Sequence, residues 1–302
     1  MISLDKTFLR GSFPPVVTPF RDGKVDYEKY AQLIERQVKE GSQGVVVAGT
    51  TGEPSSLSVD ERKQLLKTAI AVVAGRIQVC AATGSQSFAE TLDLTLDAER
   101  AGADAVLVVT PYYIKPSQRG LIDYFVTLGQ QIALPIMIYH IPGRAAVTVK
   151  AQTVKRIADQ VPNLVGLKHA DSQLELITEL LIGIGPEFRI FCGVEALSLP
   201  MLVLGGSGLM NAVGNLAPQR VAALYTAVEK GELRSARRIH TELFELNQSI
   251  FFDTNPIPLK YMMWRLGLLD VPEVRLPLVP VDDANAAALD GVLDRAGLFE
   301  KV

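Results

Sequence analysis

Eight short apolar runs, most of them followed by a stretch of helical period, constrain this chain more than any other feature of it. The runs are FPPVVTPF from Phe13, GVVVAG from Gly44, IQVCAAT from Ile77, AVLVVTP from Ala105, PIMIYH from Pro135, LVGLKH from Leu164, RIFCG from Arg189 and GLMNAV from Gly208. Runs apolar on both faces read as parallel strands covered by helices. Between them, residues 27–40, 59–74, 88–101, 118–132 and 151–160 repeat their apolar residues at three and four, the period of a helix. An open doubly wound sheet would carry a Gly-rich turn after its first strand, and TPFRDGK offers none. The pattern therefore predicts an α/β fold, a (β/α)8 TIM barrel over residues 1–230. Residues 218–230, 232–252 and 282–297 are helical by pattern, so 231–302 is expected to form a C-terminal helical appendage. The uncharged stretch 196–214 is broken by Pro200 and three glycines and reads as a buried helix, a turn and a strand, not a membrane span.

A chain of 302 residues with 48% hydrophobic and 21% charged residues suits one barrel with such an addition. Its net charge of -3 argues against nucleic acid or an anionic membrane as partner. The opening MISLDKTFLRGS has no apolar core of the signal-peptide kind, so a cytoplasmic location is expected. Cys80 and Cys192 each sit inside an apolar run and are expected as small buried hydrophobes, not a disulfide.

In a barrel the reactive groups lie at the C-terminal ends of the strands. The second strand ends in Gly49-Thr50-Thr51-Gly52-Glu53, the fourth in Thr110-Pro111-Tyr112-Tyr113, the fifth in Tyr139 followed by His140 to Arg144, and the sixth in Lys168. A lysine closing an apolar strand points into a water-poor cavity, where burial favours a nucleophilic amine able to condense with a ketone. Alone, such a lysine more often snorkels to solvent. Tyr139 closes the neighbouring strand at the matching height, and a phenol there can shuttle protons as an imine forms and reacts. Thr50 and Thr51, set between glycines, offer hydroxyl and N–H groups to a small carboxylate. Arg144 could hold a second carboxylate in two parallel hydrogen bonds. His140 and His169 each follow an inward-pointing residue, so alternation turns them away from the cavity or into a loop. His240 falls on a late helix, and no metal-ligand spacing appears.

These residues together resemble the dihydrodipicolinate synthase and N-acetylneuraminate lyase superfamily of class I aldolases, from GSFPPVVTPF to NPIPLKYMMWRLGL. The resemblance implies a Schiff-base lyase that needs no cofactor and no metal. Lys168 would be its imine lysine and Tyr139 its proton-relay tyrosine, with Thr50 and Tyr113 completing a hydroxyl relay. Thr51, Gly49, Arg144, Gly193 and Met210 would bind substrate. Three segments, Thr110–Tyr113, Arg144 and Asn255-Pro-Ile-Pro-Leu-Lys260, lean toward the synthase branch, which condenses pyruvate with aspartate semialdehyde. That branch also implies a homotetramer in which Tyr113 reaches into a neighbouring subunit's site.

Where synthases mostly carry Glu-Ala-Thr after the lysine, this chain has His169-Ala170-Asp171, and after Tyr139 it has His140-Ile141-Pro142-Gly143-Arg144-Ala145. Two alternatives therefore stay open. One is a paralogous pyruvate aldolase or dehydratase acting on a sugar acid or on a hydroxy-keto dicarboxylic acid. The other is a non-catalytic 2-oxo acid binder. Tyr112 and Glu90 of the family's lysine-feedback site are retained, but Val59, Arg62 and Gln86 replace its usual groups, which argues against inhibition by lysine.

Overall fold

The barrel follows from side chains that alternate between two apolar layers. The computed structural model describes residues 2–299. Its strands are β1 Gly11–Ser12, β2 Phe20–Arg21, β3 Lys24–Val25, β4 Gly44–Val47, β5 Gln78–Ala82, β6 Ala105–Val109, β7 Ile136–His140, β8 Leu164–His169, β9 Arg189–Cys192 and β10 Gly208–Leu209. Eight of them form one parallel sheet in the order β1-β10-β9-β8-β7-β6-β5-β4. The chain after β1 joins the far edge, where Val16 N–H donates to Val46 O at 3.1 Å and Val46 N–H to Pro14 O at 2.9 Å. Within β6, Ala105 and Leu107 face the barrel interior with Phe13, Cys80, Val165 and Phe191, while Val106 and Val108 face the helices. Cys80 and Cys192 are both free and buried.

The helices are α1 Tyr27–Lys39, α2 Val59–Val73, α3 Phe88–Ala101, α4 Gln118–Gly129, α5 Pro142–Ala145, α6 Ala151–Ala158, α7 Glu175–Gly183, α8 Ser198–Val203, α9 Pro218–Glu229, α10 Leu233–Ser249, α11 Ile257–Arg265 and α12 Asp283–Arg295. Asp26, Ser58, Ser87, Ser117 and Asp282 start five of them by accepting the N–H three residues on. No helix among the described residues is long and apolar enough to cross a membrane.

The first strand departs from the expected 13–20. Ladder pairing starts at Gly11, Pro14 and Pro15 have no N–H to donate, and Phe20 belongs to the antiparallel hairpin of β2 with β3. Helices α4 and α6 stop at Gly129 and Ala158, short of the expected 132 and 160. Three helices were not picked out from the sequence: α5 and α11, which begin among prolines, and α7, which is only 9 residues long.

Candidate active site

Strand register brings the central pair together. Tyr139 of β7 stands opposite Lys168 of β8, which in turn pairs with Phe191 of β9. A bulge makes this possible: Ile136 pairs with Leu164 but Met137 with Gly166, skipping Val165. Val165 and Lys168 are an odd number of residues apart, so strict alternation would turn them to opposite faces. The extra residue resets the phase, and both point inward.

Lys168 is buried, with Nζ 4.3 Å from the centroid of the Tyr139 ring. Gly193, at the end of β9, leaves room for it, since a Cβ there would lie 2.7 Å from Lys168 Cε and 3.0 Å from Ala170 Cβ. Met210 and Tyr139 both belong to the interior layer. The Tyr139 hydroxyl lies 3.4 Å from Thr50 Oγ1. A cavity of about 600 Å³ opens above, lined by Gly49, Thr50, Tyr139, Ile141, Arg144 and Asn255 among others.

The Thr50–Gly52 turn is fastened from both sides. Thr18 Oγ1 donates to Gly52 O at 2.8 Å, and Asn255 Nδ2 donates to Thr51 Oγ1 at 3.0 Å. Beyond the turn, Glu53 meets Lys260 of α11 at 2.5 Å with both side chains out of solvent. Lys260 also donates to Glu273 O at 2.7 Å and sits 4.1 Å over the Phe20 ring. Burial pulls its ammonium down to about 8 against the opposing pull of Glu53. The leading N–H groups of such a turn have no partner within it and face whatever binds there.

Arg144, in α5, lines the cavity from an exposed position, its Nη2 3.4 Å from Asn255 O. Tyr113 lies apart from the other expected groups, on the β6–α4 loop, 86% exposed and at a φ of 73°. The far end of the cavity carries Tyr112, Glu90 and a buried Arg62, whose guanidinium contacts Glu90 at 3.3 Å and Ala82 O at 2.9 Å.

Alternation turns His140 and His169 to the outer side of the barrel wall, as expected, where both are buried. Their rings stack at 5.2 Å with the two Nδ1 atoms 3.1 Å apart. Burial holds both imidazoles below their ordinary value, His140 at about 4.

Glu53, Asn255 and Lys260 are supporting residues for which the sequence reading assigned no role. All three lie inside segments singled out as motifs, GTTGE and NPIPLK, yet their contact joins parts of the chain more than two hundred residues apart.

The model of the dihydrodipicolinate synthetase family matches residues 8–296. A 4-hydroxy-tetrahydrodipicolinate synthase of Thermus thermophilus is 44% identical over 293 residues, covering 97% of this chain and 98% of that protein. That of Hyphomonas neptunium is 42% identical, with coverage of 95% and 98%. Among solved structures, dihydrodipicolinate synthase from Aquifex aeolicus superposes with a TM-score of 0.94 at 38% identity, covering 97% of this chain and all of the other.

Proposed function

The chain belongs to the dihydrodipicolinate synthetase family, and on that premise we propose that it is a cytoplasmic Schiff-base lyase condensing pyruvate with aspartate semialdehyde through Lys168. Relatives named 4-hydroxy-tetrahydrodipicolinate synthase over nearly their full length support this choice over the sugar-acid and binding-protein alternatives. The observation that carries it is the buried Lys168 amine against Tyr139, whose hydroxyl is within reach of Thr50 beneath an open cavity.

The Lys168 amine attacks the keto carbon of pyruvate, water leaves, and the iminium draws electrons from the methyl group, which gives up a proton to form an enamine. The enamine carbon attacks the aldehyde carbon of the acceptor. Tyr139, with Thr50 and the partner subunit's Tyr113, carries the protons that these steps release and consume. Thr50 and Thr51 receive the pyruvate carboxylate, and Gly49, Gly193 and Met210 are assigned to the substrate's surroundings. The same reading makes the protein a homotetramer of close dimers. Tyr113 and Ile114, 86% and 62% exposed on one apolar loop, are the kind of surface an interface covers.

Arg144 is assigned the semialdehyde carboxylate. A charge-assisted pair of hydrogen bonds contributes roughly 1.5 to 3 kcal/mol, which is about ten- to a hundredfold in affinity. Arg144→Ala should therefore lose semialdehyde turnover by that factor and keep pyruvate imine formation. Wild-type protein that forms the pyruvate imine yet never consumes the semialdehyde would transfer the assignment to another aldehyde.

A further inference from the structure

His140 and His169 follow Tyr139 and Lys168 directly, on paired strands and in matching register. Their hydrogen bonds fix where each proton lies. A carbonyl can only accept, so His169 Nε2, 2.9 Å from Gln173 O, carries the hydrogen. His169 Nδ1 is then the acceptor, and His140 Nδ1 must donate to it across 3.1 Å. His140 Nε2 is left as a buried acceptor with no protein partner. The result is a one-way chain, His140 to His169 to the Gln173 carbonyl, formed with both rings neutral. A proton added to His169 turns its Nδ1 into a second donor facing the His140 donor, and one added to His140 lands on the unpartnered Nε2 and places a cation where burial disfavours it.

We propose that His140 and His169 form a neutral imidazole pair that positions Tyr139 and Lys168 for the reaction, and that protonating either ring withdraws this support and sets the acid limit of turnover. Neither histidine touches substrate; both are positioning residues acting through the strand ends they share with the reactive groups. Asp171, just beyond β8, is the charged group that favours the protonated rings, but burial outweighs it for both. Cys192, the register partner of His169, stays a neutral thiol, pushed up to about 12 by burial. The sign follows: the rings stay neutral through the free-imidazole range near about 6.5, and the pair is lost as pH falls toward about 4.

The proposal rests on the Lys168 reading, and the test separates the two. The chain has only 3 histidines, so protein labelled with 13C at histidine Cε1 gives a spectrum that can be assigned by single substitutions. His140 and His169 should remain neutral well below the ordinary imidazole range and titrate together, at the pH where kcat falls. In His140→Asn/His169→Gln, amides replace both titrating rings, and the amide at position 169 keeps a donor for the Gln173 carbonyl. That variant should hold turnover at about pH 8 to within roughly tenfold and lose the acid fall. His140→Leu should lower kcat by on the order of ten- to a hundredfold with little change in the KM for pyruvate. Histidines that titrate at their ordinary value, or a double variant with the wild-type acid midpoint, would overturn the proposal. Should the double variant not fold, coincidence of the wild-type histidine titration with the fall in kcat decides the matter. Absence of any pyruvate imine at about pH 8 would overturn the Lys168 reading, and the catalytic half of the proposal with it, while the histidine titration reports on the pair alone.

Discussion

At Gly193 the missing side chain is what the neighbouring lysine needs. A Cβ would press on Lys168 Cε and, at 3.0 Å, on Ala170 Cβ, so Gly193→Ala should displace the amine and strain the strand end slightly. We expect the variant to fold with a modestly lower melting temperature and imine formation with pyruvate to slow by roughly ten- to a hundredfold, since small misplacements of reacting groups carry costs of that order. Stopped-flow measurement of imine formation checks this. Lys168, Tyr139 and Thr50 were legible in the sequence because each closes an apolar run, and barrel topology converts a strand end into a position at the rim. The bulge that aligns Tyr139 with Lys168 was not legible, because nothing in LVGLKH marks which residue the ladder skips.

At the scale of elements, α11 acts as a brace for the Thr50–Gly52 turn. It begins in NPIPLK, where two prolines mask the helical period, so the segment was recognisable as a motif but not as a helix. The β1 region was hidden for a related reason, its prolines leaving a bridge where a longer ladder was expected. Lys260 carries the brace to Glu53. Removing one partner of a buried pair strands the other, at a cost of about 3 to 5 kcal/mol, whereas replacing both with apolar groups is often neutral. Lys260→Met should therefore destabilise strongly in chemical denaturation, and Lys260→Met/Glu53→Leu should regain most of the loss. Turnover should stay low in the double variant, because the Thr50–Gly52 turn has lost one of its tethers. Full activity there would show that the pair serves stability alone.

Across the whole molecule, the parallel strands bring Tyr139, Lys168 and Thr50 together at one rim, and the segment after α11 adds Arg275, Pro277 and Leu278 to the cavity wall. Eight runs and the lack of a Gly-rich first turn were enough to anticipate a closed barrel over an open sheet. Assembly is a property of the surface, and one chain's periodicity carries little of it; Tyr113 was assigned through the family resemblance, not through spacing. If the partner subunit's Tyr113 completes each site, two inactive variants should rescue each other. Mixing Tyr113→Phe with Lys168→Ala subunits, with exchange promoted by mild denaturant, creates sites holding an intact lysine beside an intact tyrosine. Recovered turnover is the expected outcome, and mixtures no more active than their parts would contradict a shared site. The central claim, that Lys168 is the imine-forming residue, is tested most directly by reducing the protein with borohydride in the presence of pyruvate and mapping its peptides by mass spectrometry. One carboxyethyl group on Lys168, with irreversible loss of activity and no labelling of Lys168→Ala, is the predicted result. An unchanged mass, or a label on any other lysine, would contradict it.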